Sequence, residues 1–333
     1  MMETAHALKA IKQVALFRAG VWKPRSRPGQ FEGSGSAGLA WLREVKQECG
    51  LPLAVEVATP QHVDQCLEHQ VDVLWLGART TVNPFLVQEI AQATRGTGIP
   101  VMVKNPVSPD LRLWMGAMER MKLAGSSRVA AIHRGFHIGQ GSNYRNSPLW
   151  DIPLALRKEM PGLPLLCDPS HIAGHARWIR EVIITALGLG FDGLMIEVHH
   201  RPGNALTDPL QQITPQEFEG LLEGIMRGTG KAQPDKSLQV LREMIDLQDH
   251  QLLELLARRL SLSSQVGRLK KRMGQEVVQP QRQKELLADR LKKAAFLGLD
   301  KAFVEKLVEL LHGESVNVQE ESRNDSPEAP DVK

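Results

Sequence analysis

Seven short apolar segments recur along the first two-thirds of the chain, most of them running into a polar or charged residue at the C-terminal end. They read VALFRAGVW, LPLAVEVA, VDVLWLGA, IPVMVKN, RVAAIHR, LPLLCDP and GLMIEVH. Helical patterns such as AGLAWLREVKQE, NPFLVQEIAQAT and DLRLWMGAMERMKLAG lie between them. Continuous apolar strands alternating with amphipathic helices require a parallel sheet under a helical cover. Two closures meet that requirement, an open doubly wound sheet and a (β/α)8 barrel. No GxGxxG follows the first segment, and the polar residues collect at strand ends, where a barrel builds its site. The expected fold class is therefore an α/β (β/α)8 TIM barrel. Eight strands are needed and seven are found, because the chain opens with a helical METAHALKAIKQ. The first strand is expected to be absent from this sequence, through an N-terminal truncation or in a damaged barrel.

The texture changes after Met226. RGTGKAQPDKS reads as a linker from its Gly, Pro and polar content, and apolar residues at helical spacing follow from Leu238 to Leu269. A helix over 235–273 would be roughly 58 Å long, too long for one small domain to cover alone. The expected organisation is a barrel over 1–226, a linker over 227–236, an all-α domain over 237–319 and a disordered polar tail over 320–333. Lys and Arg number 41 against 38 Asp and Glu, a net charge of +3, so nothing global argues for nucleic acid or a membrane as partner. No apolar run approaches the roughly 20 residues of a membrane span. Cys49, Cys66 and Cys167 show no CxxC spacing, which suits a cytoplasmic protein.

The candidate chemistry sits at the strand ends. LPLLCDPSH delivers His171, LMIEVHH delivers Glu197, and NALTDP adds Asp208. One histidine and two carboxylates make a metal site that wants one more ligand. A lone histidine after a strand is also a common hydrogen-bonded rim residue, so the carboxylates carry the metal reading. Arg18 with Lys23, Arg79, Lys104 and Arg134 stand at four further strand ends. Scattered rim cations are unremarkable, but several converging on one mouth repel each other unless a multiply charged anion sits among them. Together these residues describe a metal-assisted enzyme acting on phosphorylated substrates.

VWKPRSRP resembles the KPR[ST] motif of 3-deoxy-D-arabino-heptulosonate 7-phosphate synthases, and LWLGAR, VMVKN, HRG, DPSH and IEVH…LTDP follow in that family's order. The resemblance implies condensation of phosphoenolpyruvate with erythrose 4-phosphate. Arg18, Lys23 and Lys104 would hold the phosphoenolpyruvate carboxylate, and Arg79 and Arg134 its phosphate. Arg25 and Ser26 would meet erythrose 4-phosphate, Ser26 standing where Thr is common. Lys104 is the candidate for proton transfer. A divalent ion (Mn, Fe, Co or Zn) on His171, Glu197 and Asp208 would polarise the aldehyde. The family's remaining ligand is a cysteine on the first strand, and Cys167, about 13 Å from His171 along an extended strand, cannot replace it.

In the long helix Arg259 and Lys270 differ by only about 20° around the axis and share an apolar face, whereas Arg242 points about 100° away. Snorkelling cations are the bland alternative. Over 237–319 these residues resemble the all-helical chorismate mutases, through Arg242, Arg259, Lys270, Arg282, Ser315 and Gln319. The resemblance implies rearrangement of chorismate to prephenate in an interlocked homodimer, with Arg242 entering the partner's pocket. Arg242 and Arg259 would bind the two carboxylates, and Lys270 and Gln319 the ether oxygen. Arg282 and Ser315 would complete carboxylate recognition, and Gln283 would hold the hydroxyl. Gln279 and Gln283 stand where some relatives carry carboxylates. Three rival readings remain. One is a 3-deoxy-D-manno-octulosonate 8-phosphate synthase. Another is a helical domain that senses prephenate or chorismate and regulates the barrel allosterically. The third is an inactive barrel kept as scaffold for the mutase.

Overall fold

The computed structural model describes residues 1–25, 28–138, 144–229 and 234–324. The chain divides into two compact units, Met1–Leu241 and Arg242–Lys333. The first begins with α1 (Met2–Lys9) and then alternates strands and helices: β1 (Phe17–Ala19), α2 (Ser36–Cys49), β2 (Leu53–Val57), α3 (Pro60–Glu68) and β3 (Val73–Leu76). It continues through α4 (Ala78–Thr81), α5 (Pro84–Ala93), β4 (Val101–Lys104), α6 (Leu111–Leu123) and β5 (Val129–His133). It closes with α7 (Asp151–Glu159), β6 (Leu165–Cys167), α8 (Pro169–Ala173), α9 (Ala176–Gly188), β7 (Gly193–Leu194) and α10 (Pro215–Thr229).

The seven strands form one parallel sheet in chain order. An open doubly wound sheet reverses its order at a switch point; this one does not. Ala54 of β2 and Met195, just past β7, belong to a single apolar cluster with Val73, Trp75, Met102 and Ile132, and Leu16, Ala130 and Leu166 pack against it. Residues from both ends of a seven-stranded sheet share one interior only if the sheet curls. The architecture is thus the curled parallel sheet of a barrel, with seven strands as counted from the sequence. Among the described residues β1 and β7 each pair with one strand, and an isolated parallel bridge beyond β7 joins Val198 to Ile213.

Strand period two sorts the remaining residues. Leu74, Leu76, Val101, Val103, Ala131 and Cys167 have the opposite parity to the interior set and are buried under the helices. His133 shares that parity and is fully buried among Trp114, Phe136, Trp150 and Phe191, with ring centroids 5.3–6.3 Å away.

Three helices follow, α11 (Pro234–Arg272), α12 (Pro280–Phe296) and α13 (Lys301–Asn324), and the second unit begins within α11. Two boundaries differ from the sequence expectation. Helices occupy both ends of the expected linker, so only 230–233 within it lies outside the described residues. The expected tail is helical through Asn324, because Ser322 is buried and its Oγ donates to the carbonyls of Ser264 (3.2 Å) and Gln319 (3.0 Å); its remainder, 325–333, lies outside the described residues. Gly267 makes that seam possible: a Cβ there would stand 2.5 Å from Ser322 Oγ and 2.7 Å from the Gln319 carbonyl.

Desolvation is the main influence on His133 and lowers its pKa from 6.5 to about 3, a weak interaction with the Pro148 carbonyl only partly opposing it. As the pH falls from about 6.5 towards 3, the unfolded chain takes up a proton that the folded chain refuses, so stability drops through that window. His133→Phe removes the titration and keeps a ring in the aromatic box. The expected result is a flatter loss of stability between pH 6.5 and 4, measured by urea unfolding at stepped pH.

Candidate active site

The charged residues stand on the same parity as the apolar interior, one step further along each strand. Ala54 leads to Glu56, Met102 to Lys104, Ile132 to Arg134, Leu166 to Asp168 and Met195 to Glu197; Arg18 is the inward residue of β1. The strand period thus stacks a layer of charge on a layer of hydrocarbon.

Within that layer the charges pair. Lys104 Nζ donates to Asp168 Oδ2 at 2.7 Å, both side chains being almost fully buried. Asp168 also caps α8 by accepting from His171 N at 3.1 Å, and its Oδ2 lies 2.9 Å from His171 Nδ1. A proton on Nδ1 facing that carboxylate leaves Nε2 with the free lone pair. Arg18 Nη2 is 3.0 Å from Glu197 Oε1, and Lys23 Nζ donates to Asp208 Oδ2 at 2.7 Å. His171, Glu197 and Asp208 each offer a ligand atom, all within 4.8 Å of one another. One imidazole nitrogen and two carboxylate oxygens at that spacing fit a borderline divalent ion.

Burial opposes ionisation of these carboxylates, and the neighbouring cations overcome it. Glu197 is lowered to about 2 against its desolvation, by its interactions with His171 and then Arg18. Asp168 is held well below the ordinary range against the same penalty, by His171 and Lys104. Asp208 is likewise lowered against its desolvation, by Lys23 and then Arg145. Arg134 falls to about 10, mainly through burial, which the charge of Asp168 partly offsets. A cavity of about 210 Å³, lined by Arg18, Lys23, Glu56, Lys104, His171 and Glu197 among others, opens beside the pairs.

The segment bearing Lys23 is fixed by its backbone. Lys23 N donates to the Glu32 carbonyl at 2.7 Å, and Gly35 N to that of Val21 at 3.0 Å. Gly33, at φ +106°, lets the two arms meet, since a Cβ there would lie 2.1 Å from the Val21 carbonyl oxygen. Trp22 stacks on His62 with ring centroids 3.9 Å apart. Arg25 is partly buried, and its Nε has no hydrogen-bond partner among the described residues. Ser26 lies outside the described residues. Arg79 is exposed on α4. Arg134 donates to Asn146 Oδ1 at 2.8 Å, while its backbone N–H donates to Asn105 Oδ1 at 2.7 Å.

Sequence reasoning missed several participants. Glu56 shares the lining, and Gly77 makes room for it, since a Cβ there would lie 2.0 Å from Glu56 Oε1. Desolvation raises the Glu56 pKa, with Lys104 and Arg18 opposing. The same period-two count that finds Lys104 would have found Glu56 in LPLAVEV. Asn105, Arg145, Asn146 and Gln211 act from turns and loops, where no periodicity marks them.

In the helical unit Arg259 Nη1 donates to the Leu311 carbonyl at 2.9 Å and to Ser315 Oγ. Lys270 Nζ donates to the Val277 carbonyl at 2.6 Å. Gln319 is buried; its Nε2 donates to the Ser315 carbonyl at 3.1 Å, and its Oε1 has no hydrogen-bond partner among the described residues. Arg259, Ser315 and Gln319 are thus linked, whereas Arg242 is exposed and Arg282, also exposed, lies 3.7 Å from Glu285. Gln283 is exposed on the same helix.

Residues 1–232 match the DAHP synthetase I family, and residues 241–320 match the family of type II chorismate mutases. A phospho-2-dehydro-3-deoxyheptonate aldolase of Thermotoga maritima is 28% identical over 223 residues, covering 67% of this chain and 64% of that protein. A 2-dehydro-3-deoxyphosphooctonate aldolase of Nitratidesulfovibrio vulgaris is 26% identical over 229 residues, covering 62% of this chain and 78% of that protein. The crystal structure of the DAHP synthase from Thermotoga maritima superposes with a TM-score of 0.61 at 27% identity, covering 68% of this chain and 64% of that one. The chain therefore spans just under two-thirds of the length of that synthase. The parallel curled sheet, the charged layer at its strand ends and the matched families agree: the chain belongs to the DAHP synthetase I family and carries a chorismate mutase type II domain behind the barrel.

Proposed function

We propose that the barrel condenses phosphoenolpyruvate with erythrose 4-phosphate, and that the helical unit rearranges chorismate to prephenate. The observation that carries the first activity is the His171, Glu197 and Asp208 cluster, with Arg18 and Lys23 paired to its carboxylates and Lys104 paired to Asp168, which also holds His171. Arg18, Lys23 and Lys104 bind the phosphoenolpyruvate carboxylate, and Arg134 with Arg79 its phosphate. Arg25 and Ser26 meet erythrose 4-phosphate. A divalent ion (Mn, Fe, Co or Zn), when bound by His171, Glu197 and Asp208, supplies Lewis-acid polarisation of the aldehyde. Lys104, hydrogen-bonded to Asp168, is set to exchange a proton with the reacting oxygen. In balance, one C–C bond forms, water is consumed and inorganic phosphate leaves.

For the second activity the linked side chains of Arg259, Ser315 and Gln319 would meet the substrate, and Lys270 would supply a cation to the ether oxygen. Leu252, Leu255, Leu262 and Leu269 of α11 are each about half exposed, an apolar stripe that a second copy would cover, with Arg242 reaching into the partner's pocket. We place the protein in the cytoplasm, in keeping with three free, buried cysteines. No helix of the described residues is long and apolar enough to cross a membrane, and the near-balanced charge gives nucleic acid no footprint.

Octulosonate-type relatives make the acceptor sugar the first point to test. Phosphate release from phosphoenolpyruvate with Mn2+ is expected with erythrose 4-phosphate and at least tenfold slower with arabinose 5-phosphate. Lys104→Met should lower the rate on the order of 10²–10³-fold. Equal rates with both sugars would overturn the substrate assignment. For the mutase, mixing Arg242→Ala chains with Arg259→Ala chains should restore part of the activity that each lacks. No recovery after verified subunit exchange removes the shared site. Prephenate should change the phosphate-release rate of the full chain, and a response unchanged when 237–333 is deleted would sink coupling between the units.

A further inference from the structure

We infer that Arg145 and Gln211 form a positioning relay for the candidate metal centre, one guanidinium fixing Asp208 directly and Glu197 through the Gln211 amide. The inference rests on reading His171, Glu197 and Asp208 as metal ligands, and it goes further by assigning the residues that hold two of them in place.

Arg145 Nη1 donates to Gln211 Oε1 at 2.7 Å and lies 3.1 Å from Asp208 Oδ1. Gln211 Nε2 in turn donates to Glu197 Oε2 at 2.5 Å. The amide of Gln211 is buried and has one possible orientation in this chain: its oxygen faces a cation and its nitrogen a carboxylate. Turning it over would set oxygen against carboxylate at one end and N–H against guanidinium at the other. The relay therefore has a direction, and it fixes the Glu197 oxygen opposite the one facing Arg18.

The backbone builds the relay at both ends. Asp208 takes a left-handed conformation, φ +47°, uncommon for a residue with a side chain. It opens a short 3₁₀ turn over Pro209–Gln211, with Gln211 N donating back to its carbonyl at 3.2 Å. That bond closes the chain tightly between Asp208 and Gln211, and both side chains meet Arg145. Arg145 comes from the other direction, its N–H reaching the Ala173 carbonyl at 3.4 Å, just past His171. Gly174 permits that approach, since a Cβ there would sit 2.3 Å from Arg145 Cβ.

A simple rim ion pair would need only Asp208. Arg145 is partly exposed and its link to Asp208 alone would be worth little. The buried amide changes that, because it joins the guanidinium to the second carboxylate. Groups that orient metal ligands from behind commonly account for 10–100-fold in metal affinity.

The test is a Mn2+ titration of the full chain, stripped of metal with a chelator, with bound ion read from loss of the free-ion electron paramagnetic resonance signal. Wild type, His171→Ala, Arg145→Ala, Arg145→Lys, Gln211→Ala and the Arg145→Ala/Gln211→Ala pair are compared. Gln211→Ala and Arg145→Ala are each expected to weaken Mn2+ about 10–100-fold. Arg145→Lys, which keeps a charge for Asp208 but not the fixed N–H directions of the planar guanidinium, should fall between. The double variant should lose less than the product of the two single losses, because the residues act through one another. The thermal midpoint of the metal-free proteins should move by no more than about 4 °C, which a purely structural role would not allow alongside the affinity loss. Binding that His171→Ala abolishes and the other variants keep would overturn the relay and leave the metal centre standing. So would losses that multiply. No binding by wild type, with His171→Ala indistinguishable from it, would overturn the centre and the relay together.

Discussion

Everything at the mouth of the barrel depends on neutralising charges that the strand period forces together. Inward residues alternate along each strand, so an interior layer of Ala54, Trp75, Met102, Ile132 and Met195 is followed by one of Glu56, Lys104, Arg134 and Glu197. Charges lifted from water onto a hydrocarbon floor cost several kcal/mol each unless they are paired and hydrogen-bonded. The pairs Lys104–Asp168, Arg18–Glu197 and Lys23–Asp208 meet that cost, at 2.7, 3.0 and 2.7 Å. Each candidate metal ligand is therefore ionised or lone-pair-bearing because of a cation or carboxylate behind it. Removing one member of a pair strands the other, so single substitutions here are expected to act well beyond the altered side chain.

How much of this was legible in the sequence follows from the same geometry. Lys104 and Glu197 stand out because the inward period of their strands runs into them, whereas His171 is marked only by its DPSH segment, which folds as the cap and first turn of α8. The extended-strand distance that sets Cys167 apart from His171 does not hold, because β6 ends at Cys167 and His171 lies in α8; the reason that stands is its opposite parity, which buries it on the helix-facing side. Glu56 was missed although it obeys the rule, for it ends no motif. Arg145 and Gln211 lie 66 residues apart in the chain and meet only because a 3₁₀ turn and a glycine at 174 bring them face to face. Neither a turn type nor a close approach across two loops has a one-dimensional signature.

The helical unit was legible differently. Helical period placed Arg259 and Lys270 on one face, and the structure links Arg259 to Ser315 across helices. The seam depends on Gly267, whose missing Cβ admits the Gln319 backbone, and a lone glycine in a helix reads from sequence as a local weakness. Arg282 and Gln283 stay on an exposed face, and among the described residues no hydrogen bond or ion pair draws them to Arg259. The continuation of α13 to Asn324 escaped the sequence because its buried contact is a serine, which composition counts as polar surface.

The two units hold their cations in opposite ways, and this bears on how each meets an anion. In the barrel Arg18, Lys23 and Lys104 face carboxylates of their own chain, so an anionic substrate competes with fixed negative charge. On the proposed reading, Glu197 and Asp208 holding a divalent ion would give up charge to it and leave Arg18 and Lys23 freer for the substrate, because the same carboxylate charge cannot serve ion and cation equally. In the helical unit the described hydrogen bonds of Arg259 and Lys270 go to neutral acceptors, the Leu311 and Val277 carbonyls and the Ser315 hydroxyl. A dianion arriving there replaces dipoles with charge and strengthens each bond it makes. Under the proposed function, anion binding would be linked to a metal in one unit and independent of one in the other, according to whether a carboxylate already stands behind the cation.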